Sequence, residues 1–101
     1  MARIRVRYYG ILRELSKKKE DKIEISDESN MLDLIKRVSE KNGQKFRDFV
    51  YDDGTELRDG LAFALDAVSV ERSKLGKIKC RDVSEFVILP PISGGRSDVL
   101  A

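Results

Sequence analysis

The sequence lacks histidine and contains a single cysteine, Cys80, among its 101 residues. One cysteine forms no internal disulfide, and without histidine the common Cys/His zinc sites have no ligand set. The absence of histidine also excludes Ser-His-Asp, Cys-His and histidine acid/base catalysis. We therefore expect no structural metal, and we predict that Cys80 is a small core residue and not a redox thiol.

Long apolar runs are missing as well, although 41% of the residues are apolar. No stretch approaches the roughly 20 apolar residues that a membrane-spanning helix needs, and no apolar signal-peptide segment follows the arginines of residues 1–7. The length suits one compact domain. The sequence therefore predicts a cytoplasmic chain without a membrane partner.

No strong excess of one charge is present, because 20 basic residues face 18 acidic ones and the net charge is +2. So mild an excess does not predict nucleic-acid binding. Arg3, Arg5 and Arg7 share one face of a predicted strand, but no aromatic residues for stacking RNA bases lie between them. A solvent-exposed face with cross-strand salt bridges, including one to Glu24, is the favoured interpretation.

The amino-terminal residues predict a β-hairpin. Residues 3–8 and 22–26 alternate polar and apolar side chains, which is typical of half-buried strands. Residues 11–15, which follow Gly10, predict one helical turn or an ordered loop between the two strands. The apolar side chains of both strands are expected to face one core.

The segment from Ser29 to Gly43 predicts the main helix. Ser29 or Asn30 is the expected amino-terminal cap, and Gly43 is the expected end. The apolar residues recur at the spacing of one helix face, and they are Met31, Leu34, Ile35 and Val38.

Residues 44–60 predict a second, shorter helical turn followed by an irregular loop. The aromatic residues of this stretch are predicted to close the edge of the core and not to stack on a ligand. Asp52-Asp53-Gly54 is acidic and turn-like, but it lacks the further spaced oxygens of a calcium loop. We assign no metal to it.

The second half of the chain predicts further strands over residues 61–65, 68–70, 78–80 and 85–89. A tight turn at Asp66-Ala67 joins the first two, and a polar loop over residues 71–77 precedes the third. The last strand is apolar on both faces. This is typical of a central strand covered on each side, or of one whose outer face meets a partner.

The order of these elements predicts an α+β domain with the β-grasp fold. A mixed sheet of about four to five strands would carry one main helix on one face, with the first and last strands parallel at its centre. A ferredoxin-like fold is the alternative, but it needs a second long amphipathic helix, and residues 44–60 supply only a short one.

The carboxyl end contains a diglycine, Gly94-Gly95, soon after two prolines. Without side chains, two glycines form a thin segment that can enter a channel too narrow for any Cβ. Pro90 and Pro91 would stiffen its base. A diglycine alone is equally typical of an ordinary flexible terminus.

The complete carboxyl-terminal string resembles the end of the molybdopterin synthase small subunits, the MoaD group of ubiquitin-like β-grasp proteins, which is related to ThiS. That string is Phe86-Val87-Ile88-Leu89-Pro90-Pro91-Ile92-Ser93-Gly94-Gly95. Residues 6–14 resemble the first strand of that group and its following "phenylalanine, alanine or glycine, x, leucine, arginine, glutamate" element, with Tyr9 at the aromatic position. The resemblance covers about residues 3–95, is weakest between residues 44 and 80, and extends to the small archaeal modifier proteins.

The resemblance implies a carrier protein and not an enzyme. In this family an E1-like enzyme uses ATP to adenylate the terminal glycine, here Gly95, and Gly94 lets that glycine reach the activating site. The product is a thiocarboxylate for molybdopterin synthesis or a bond to a protein lysine, so the implied partners are the E1-like enzyme and either target lysines or the synthase large subunit. ATP belongs to the activating enzyme, and no cofactor is expected on the chain. The implied partner surface is Phe86, Val87, Ile88, Leu89, Pro90 and Pro91, with either Phe86 and Ile88 or Val87 and Leu89 facing outward.

The sequence departs from the sulfur carriers at its end, because residues 96–101 hold the Gly95 carboxyl group as an amide. Either a protease removes them, as in ubiquitin-type precursors, or they are an addition to the natural chain, or the protein works otherwise. We accordingly divide the chain into a ubiquitin-like domain, residues 1–93, and a flexible diglycine tail with a removable extension, residues 94–101. The extension favours a protein modifier, and a non-covalent β-grasp binding module is the alternative. Two further departures lie in the second half of the chain. The Asp66-Ala67 turn replaces the asparagine-led turn that is common in the group, and the loop over residues 71–77 looks longer than usual.

Overall fold

A computed structural model describes residues 1–52 and 56–91. A five-stranded sheet contains β1 (Ala2–Tyr8), β2 (Glu20–Ile25), β5 (Ala62–Leu65), β6 (Val68–Val70) and β7 (Glu85–Leu89), and a small ribbon contains β3 (Tyr51–Asp52) and β4 (Glu56–Leu57). The helices are α1 (Ile11–Ser16), α2 (Met31–Asn42) and α3 (Gln44–Val50), with 3₁₀ helices over Arg72–Lys77 and Cys80–Asp82. In the part of the chain that is described, no helix is both long and apolar enough to cross a membrane.

The strand order across the main sheet is β2-β1-β7-β5-β6. The first strand, β1, and the last, β7, lie side by side and parallel at the centre, whereas the other neighbouring pairs are antiparallel. This arrangement, with helices packed on one face, is the β-grasp fold and confirms the predicted class. Residues 11–15, for which a helical turn or a loop was predicted, form most of α1.

The predicted amino-terminal hairpin is present, and its solvent face carries ion pairs. Arg3 lies directly opposite Glu24, and their charged groups approach to 2.7 Å. Arg5 and Arg7 each lie 3.8 Å from the carboxylate of Glu85 on β7. The arginine face therefore forms salt bridges to acidic side chains on both neighbouring strands; the pair with Glu24 was predicted, whereas the contacts with Glu85 were not.

The main helix, α2, begins at a reciprocal cap. The side-chain oxygen of Asn30 accepts a 2.9 Å hydrogen bond from the backbone N–H of Asp33, and the Asp33 carboxylate accepts one of the same length from the Asn30 N–H. Gly43, at φ +94°, follows its last residue. All four predicted core residues of the helix are fully buried, namely Met31, Leu34, Ile35 and Val38.

The core lies between the sheet and the helices. Tyr8 of β1 meets Phe46 of α3 edge to face, with ring centroids 5.4 Å apart. Phe63 of β5 and Phe86 of β7 stack with centroids 5.9 Å apart. The aromatic residues of α3 pack as predicted: Phe46 is fully buried, and Phe49 packs at the edge of the core.

Two predictions for the second half are wrong. Residues 78–80 do not extend the sheet, because the Cys80 N–H donates to the Ser29 carbonyl oxygen at 2.8 Å and Lys79 forms an isolated bridge with Asn30. This segment is therefore attached to the start of α2 before it turns into a 3₁₀ helix. Residues 71–77, predicted as a polar loop, contain the other 3₁₀ helix, which inserts Leu75 completely into the core.

The interpretation of residues 44–60 was correct for the helix and incomplete for the loop. Gln44–Val50 is α3, and the chain after it forms the β3–β4 ribbon. Asp53 and Gly54, of the acidic turn to which no metal was assigned, lie outside the described residues. The tight turn at Asp66-Ala67 between β5 and β6 is present, with φ +49° and +72°.

Candidate functional site

The central strand β7 presents alternate side chains to the two faces of the sheet. Phe86 lies beside Val6 of β1, Ile88 lies beside Tyr8, and all four side chains are fully buried. The predicted partner surface is therefore corrected at Phe86 and Ile88, which are core residues because they face the helices. Of the two alternatives left open by the sequence, Val87 and Leu89 are the outward pair.

Val87 and Leu89 form an apolar strip together with two small residues of the neighbouring strand. Val87 lies opposite Ala64 of β5, and Leu89 lies opposite Ala62. The alanine methyl groups project little, and the Leu89 residue remains 37% exposed. We call these four residues the outer strip.

The outer strip is bordered on one side by the row of arginines. In the parallel pairing of β1 with β7, Arg5 lies next to Glu85 and Arg7 lies next to Val87. Glu85 lies 3.8 Å from both arginines, and Glu20 lies 3.7 Å from Arg5. These distances exceed hydrogen-bond length, so among the residues described both guanidinium groups keep donors for other acceptors. The outer face therefore changes from charged to apolar across one strand spacing.

A second basic group lies where β1 ends. The guanidinium carbons of Arg7 and Arg13 lie 5.7 Å and 5.5 Å from the ring centroid of Tyr9. Arg13 also donates from Nε to the Tyr8 carbonyl oxygen at 3.3 Å. The sequence indicated Tyr9 only through the family resemblance, and this cluster was not predicted; the available signal was an aromatic residue close to two arginines in the sequence.

The base of the tail follows β7 directly. Pro90 and Pro91 are both partly buried, and they lie beside Gly10 and Gly60 respectively. Gly94 and Gly95, predicted as the activated end, lie outside the described residues. The described part of the predicted site is therefore the outer strip together with the two prolines.

The single thiol lies away from this surface. Cys80 is fully buried, and its Sγ donates to the Asn30 carbonyl oxygen at 3.4 Å. Burial, and then the charge of Asp33, raise the pKa of Cys80 to about 11, so the reactive thiolate is scarce at neutral pH. Over residues 1–52 and 56–91, no three His, Cys, Asp or Glu side chains are grouped so as to hold a metal ion.

The fold agrees with comparisons to solved structures. The structure of small archaeal modifier protein SAMP1 from Haloferax volcanii superposes with a TM-score of 0.78 at 17% identity, over 92% of this chain and 99% of that one. The solution structure of SAMP1 from Methanosarcina acetivorans gives 0.77 at 21% identity, over 94% and 98%. A provisionally assigned molybdopterin converting factor subunit 1 from Pyrococcus furiosus gives 0.67 at 20% identity, over 91% and 100%.

These structural matches establish the fold, and the sequence comparison establishes the family. A search among curated proteins found no match. The model of the ThiS family matches residues 6–95, which include the central strands, the proline pair and the diglycine. Membership supports a role as a ubiquitin-like modifier or a sulfur carrier. The chain belongs to the ThiS family and has the ubiquitin-like β-grasp fold.

Proposed function

We propose that the chain is a ubiquitin-like carrier whose Gly95 carboxylate, once exposed, is adenylated by an E1-like enzyme. One observation carries the proposal: the family match ends at residue 95, the second glycine, although the sequence continues to Ala101. The shared unit therefore ends at the residue that would react, and residues 96–101 lie beyond it. Hydrolysis of the Gly95–Arg96 peptide bond would expose the carboxylate.

The chemistry requires an activating partner, because a carboxylate is a poor acyl donor until one of its oxygens becomes part of a leaving group. A Gly95 carboxylate oxygen attacks the α-phosphorus of ATP and pyrophosphate leaves, which gives the acyl-adenylate. In sulfur transfer, a persulfide attacks the carbonyl carbon, AMP leaves, and an acyl disulfide forms. A second thiol then attacks the donor's sulfur atom, so that the S–S bond breaks, the thiocarboxylate leaves and a new disulfide forms. Alternatively, AMP is displaced by an enzyme thiol or a lysine amine, and a thioester or an isopeptide bond forms.

The folded domain would supply the affinity for the activating enzyme. The outer strip offers apolar area, and Arg5 and Arg7 beside it offer donors to carboxylates. A partner that fits this face has an apolar patch with acidic side chains along one border. Val87 and Leu89, with Pro90 and Pro91 beyond them, are the residues we assign to this contact. Cys80 is buried and is not part of the proposed chemistry.

Conjugation to protein lysines and sulfur transfer use the same activated glycine. The residues after Gly95 favour the modifier role, because ubiquitin-type precursors also carry residues beyond the diglycine until a dedicated protease removes them. Target proteins with accessible lysines are then the acceptors. In the sulfur-transfer role the acceptor is the large subunit of a molybdopterin synthase, and the chain is at most its small subunit.

The test uses the chain isolated from its native cells and two recombinant forms, residues 1–95 and residues 1–101. We expect the native chain to end at Gly95, with sulfur in place of one carboxyl oxygen or with a lysine adduct. We also expect the E1-like enzyme of the same cells to catalyse ATP–pyrophosphate exchange with residues 1–95 and not with residues 1–101. A native chain that continues past Gly95 without adducts, and no exchange with either form, would leave a non-covalent binding module.

A further inference from the structure

Two glycines flank the point where the chain leaves the sheet. Gly10 follows the carboxyl end of β1, and Gly60 precedes the start of β5. Because β1 is parallel and β5 antiparallel to β7, both glycines lie beside the carboxyl end of β7, one on each side. We call Gly10 and Gly60 the glycine notch.

Gly60 leaves a space that Pro91 fills. A Cβ atom at Gly60 would lie 2.9 Å from Pro91 Cβ, closer than real Cβ contacts come, and 3.2 Å from Pro91 Cγ, which is tighter than most of them. Gly60 has φ +89°, a conformation that side chains rarely adopt. Any residue other than glycine would therefore displace Pro91 or move its own backbone.

Gly10 lies on the other side of the chain, and a side chain there would contact the tail base less closely. A Cβ atom there would lie 3.0 Å from Pro90 Cγ and 3.8 Å from Pro90 Cδ. The contact is with the ring edge, which can change its pucker, so a substitution at Gly10 is expected to displace the chain less than one at Gly60.

Steric contacts with the glycine notch determine the path of the chain at Pro90 and Pro91, because prolines lack a hydrogen-bond donor that would hold them to the sheet. Neither Pro90 nor Pro91 has a backbone N–H, so neither can donate to the neighbouring strands, and the pyrrolidine ring fixes φ near −65°. Gly95 is the fourth residue after Pro91, and four residues reach at most about 14 Å when extended. A shift of Pro91 therefore moves the point from which the tail starts, and with it the region that Gly95 can reach.

We propose that Gly10 and Gly60 are positioning residues, which direct the tail as it leaves the sheet so that Gly95 reaches the site of adenylation. The consequence for adenylation rests on the proposed function, whereas the effect on the path of Pro90 and Pro91 does not. Correct placement of reacting groups is sensitive to shifts of about 1 Å, which can cost on the order of a hundredfold in rate.

The chain offers a matched control for Gly60. Gly43 has φ +94°, close to the +89° of Gly60, but no atom lies within 4 Å of a Cβ built on it. Gly60→Ala and Gly43→Ala therefore introduce the same atom at a similar positive φ, and only Gly60→Ala meets Pro91. The difference between the two variants isolates the contact with the tail base.

The first measurement is NMR of both variants in the chain of residues 1–95, without any enzyme. We expect Gly60→Ala to change the Pro91 ring shifts, its cross-peaks to residue 60, and the amide shifts of residues 92–95. Gly43→Ala is expected to leave all of these unchanged. Equal changes in the two variants, or no change in either, would show that Gly60 does not direct the tail through Pro91.

A double-mutant cycle tests whether Gly10 acts on the tail through Pro90. Gly10→Ala is combined with Pro90→Ala, which removes the Cγ atom that the new methyl group would meet. We expect the shift changes at residues 92–95 that Gly10→Ala causes to become much smaller when Pro90→Ala is already present. Additive changes would show that Gly10 acts through local strain and not through Pro90, and would overturn its role.

The last measurement is adenylation of residues 1–95 by the E1-like enzyme. We expect Gly60→Ala to lower kcat/KM about tenfold or more, through kcat, while Gly43→Ala stays near the parent chain. A parent chain that is not adenylated at all contradicts the proposed function and leaves the NMR result standing. A displaced tail in Gly60→Ala with unchanged kcat/KM overturns the positioning role.

Discussion

The Tyr8 hydroxyl donates a 2.8 Å hydrogen bond to Oδ2 of Asp21, joining the central strand β1 to its neighbour β2. The carboxylate of Asp21, a residue only 9% exposed, also contacts the ammonium groups of Lys18 at 3.1 Å and Lys41 at 3.2 Å. The Asn42 side-chain amide donates to the Tyr8 oxygen at 2.8 Å. Burial above all, and then Asp21, raise the pKa of Tyr8, so its hydroxyl remains a donor. The arrangement compensates a nearly buried charge with donors from three elements of the chain.

Tyr8→Phe removes one donor from this cluster and keeps the ring against Phe46. We expect a loss of about 1.5–3 kcal/mol in the free energy of unfolding, the range for a hydrogen bond to a charged group, because Asp21 and Asn42 both lose a partner. Urea unfolding measures the loss. Tyr9→Phe is the control, because the Tyr9 hydroxyl makes no hydrogen bond to any of the residues described, and it should change stability by less than about 0.5 kcal/mol. Equal losses in both variants would contradict the role of the Tyr8–Asp21 bond.

The same cluster predicts how stability depends on pH. Burial acts to raise the pKa of Asp21, but hydrogen bonds from Tyr8, Lys18 and Lys41 outweigh it, and the pKa lies below its ordinary value. Between the folded-state pKa and the unfolded-state value of about 3.9, the unfolded chain binds more protons. The contribution of Asp21 is therefore complete above that unfolded value and is lost as the pH falls through the folded one.

Asp21→Asn tests this pH dependence. The variant is expected to be less stable at pH 7, and the free energy of unfolding should fall less steeply than in the parent chain as the pH is lowered below about 4. Urea unfolding at several pH values gives both slopes. Parallel slopes for the two chains would mean that the pKa of Asp21 is not lowered by folding.

The turn between β5 and β6 contains an alanine in a conformation that favours glycine. Asp66 has φ +49° and Ala67 has φ +72°, and the Asp66 carboxylate accepts hydrogen bonds from the backbone N–H groups of Ser84 at 3.1 Å and Glu85 at 2.9 Å. The carboxylate thus attaches the turn to the start of β7. A left-handed non-glycine residue costs about 1–2 kcal/mol, and part of this is recovered when glycine replaces it.

Ala67→Gly is therefore expected to raise the free energy of unfolding by about 0.5–1 kcal/mol, after the extra freedom of glycine in the unfolded chain is subtracted. Ala64→Gly, the same change inside strand β5, should lower it by about 0.5–1 kcal/mol. Denaturant unfolding of both variants gives the signs. If Ala67→Gly is destabilising, the turn does not hold residue 67 in the left-handed region.

The sequence predicted the elements whose signal is local. The alternation of residues 3–8 and 22–26 and the cap at Asn30 are repeated or adjacent patterns, and all are present in the fold. The chain over residues 78–80 alternates like a strand, but Cys80 bonds to Ser29 instead, and no local pattern encodes that contact.

Within the candidate site, the sequence could not decide which face of β7 is buried. All of Phe86, Val87, Ile88 and Leu89 are apolar, so the answer comes from the register that places Phe86 beside Val6 and Ile88 beside Tyr8. The contact of Gly60 with Pro91 is equally invisible in the sequence, because it depends on the distance between two strand ends.

The outer strip predicts a separation between binding and stability. Leu89→Asp places a charge in the exposed apolar strip and should weaken binding of the E1-like enzyme at least about tenfold, or about 1.4 kcal/mol, since the partner would bury an unpaired carboxylate. Val68→Asp is the control: Val68 is 68% exposed on β6, but its pairing with Leu65 places it on the opposite face of the sheet. Calorimetric titration measures both affinities, and circular dichroism checks that both variants are folded. Equal weakening by the two variants, or none by Leu89→Asp, would exclude the outer strip as the docking surface, because the new carboxylate loses its hydration only where the partner covers it.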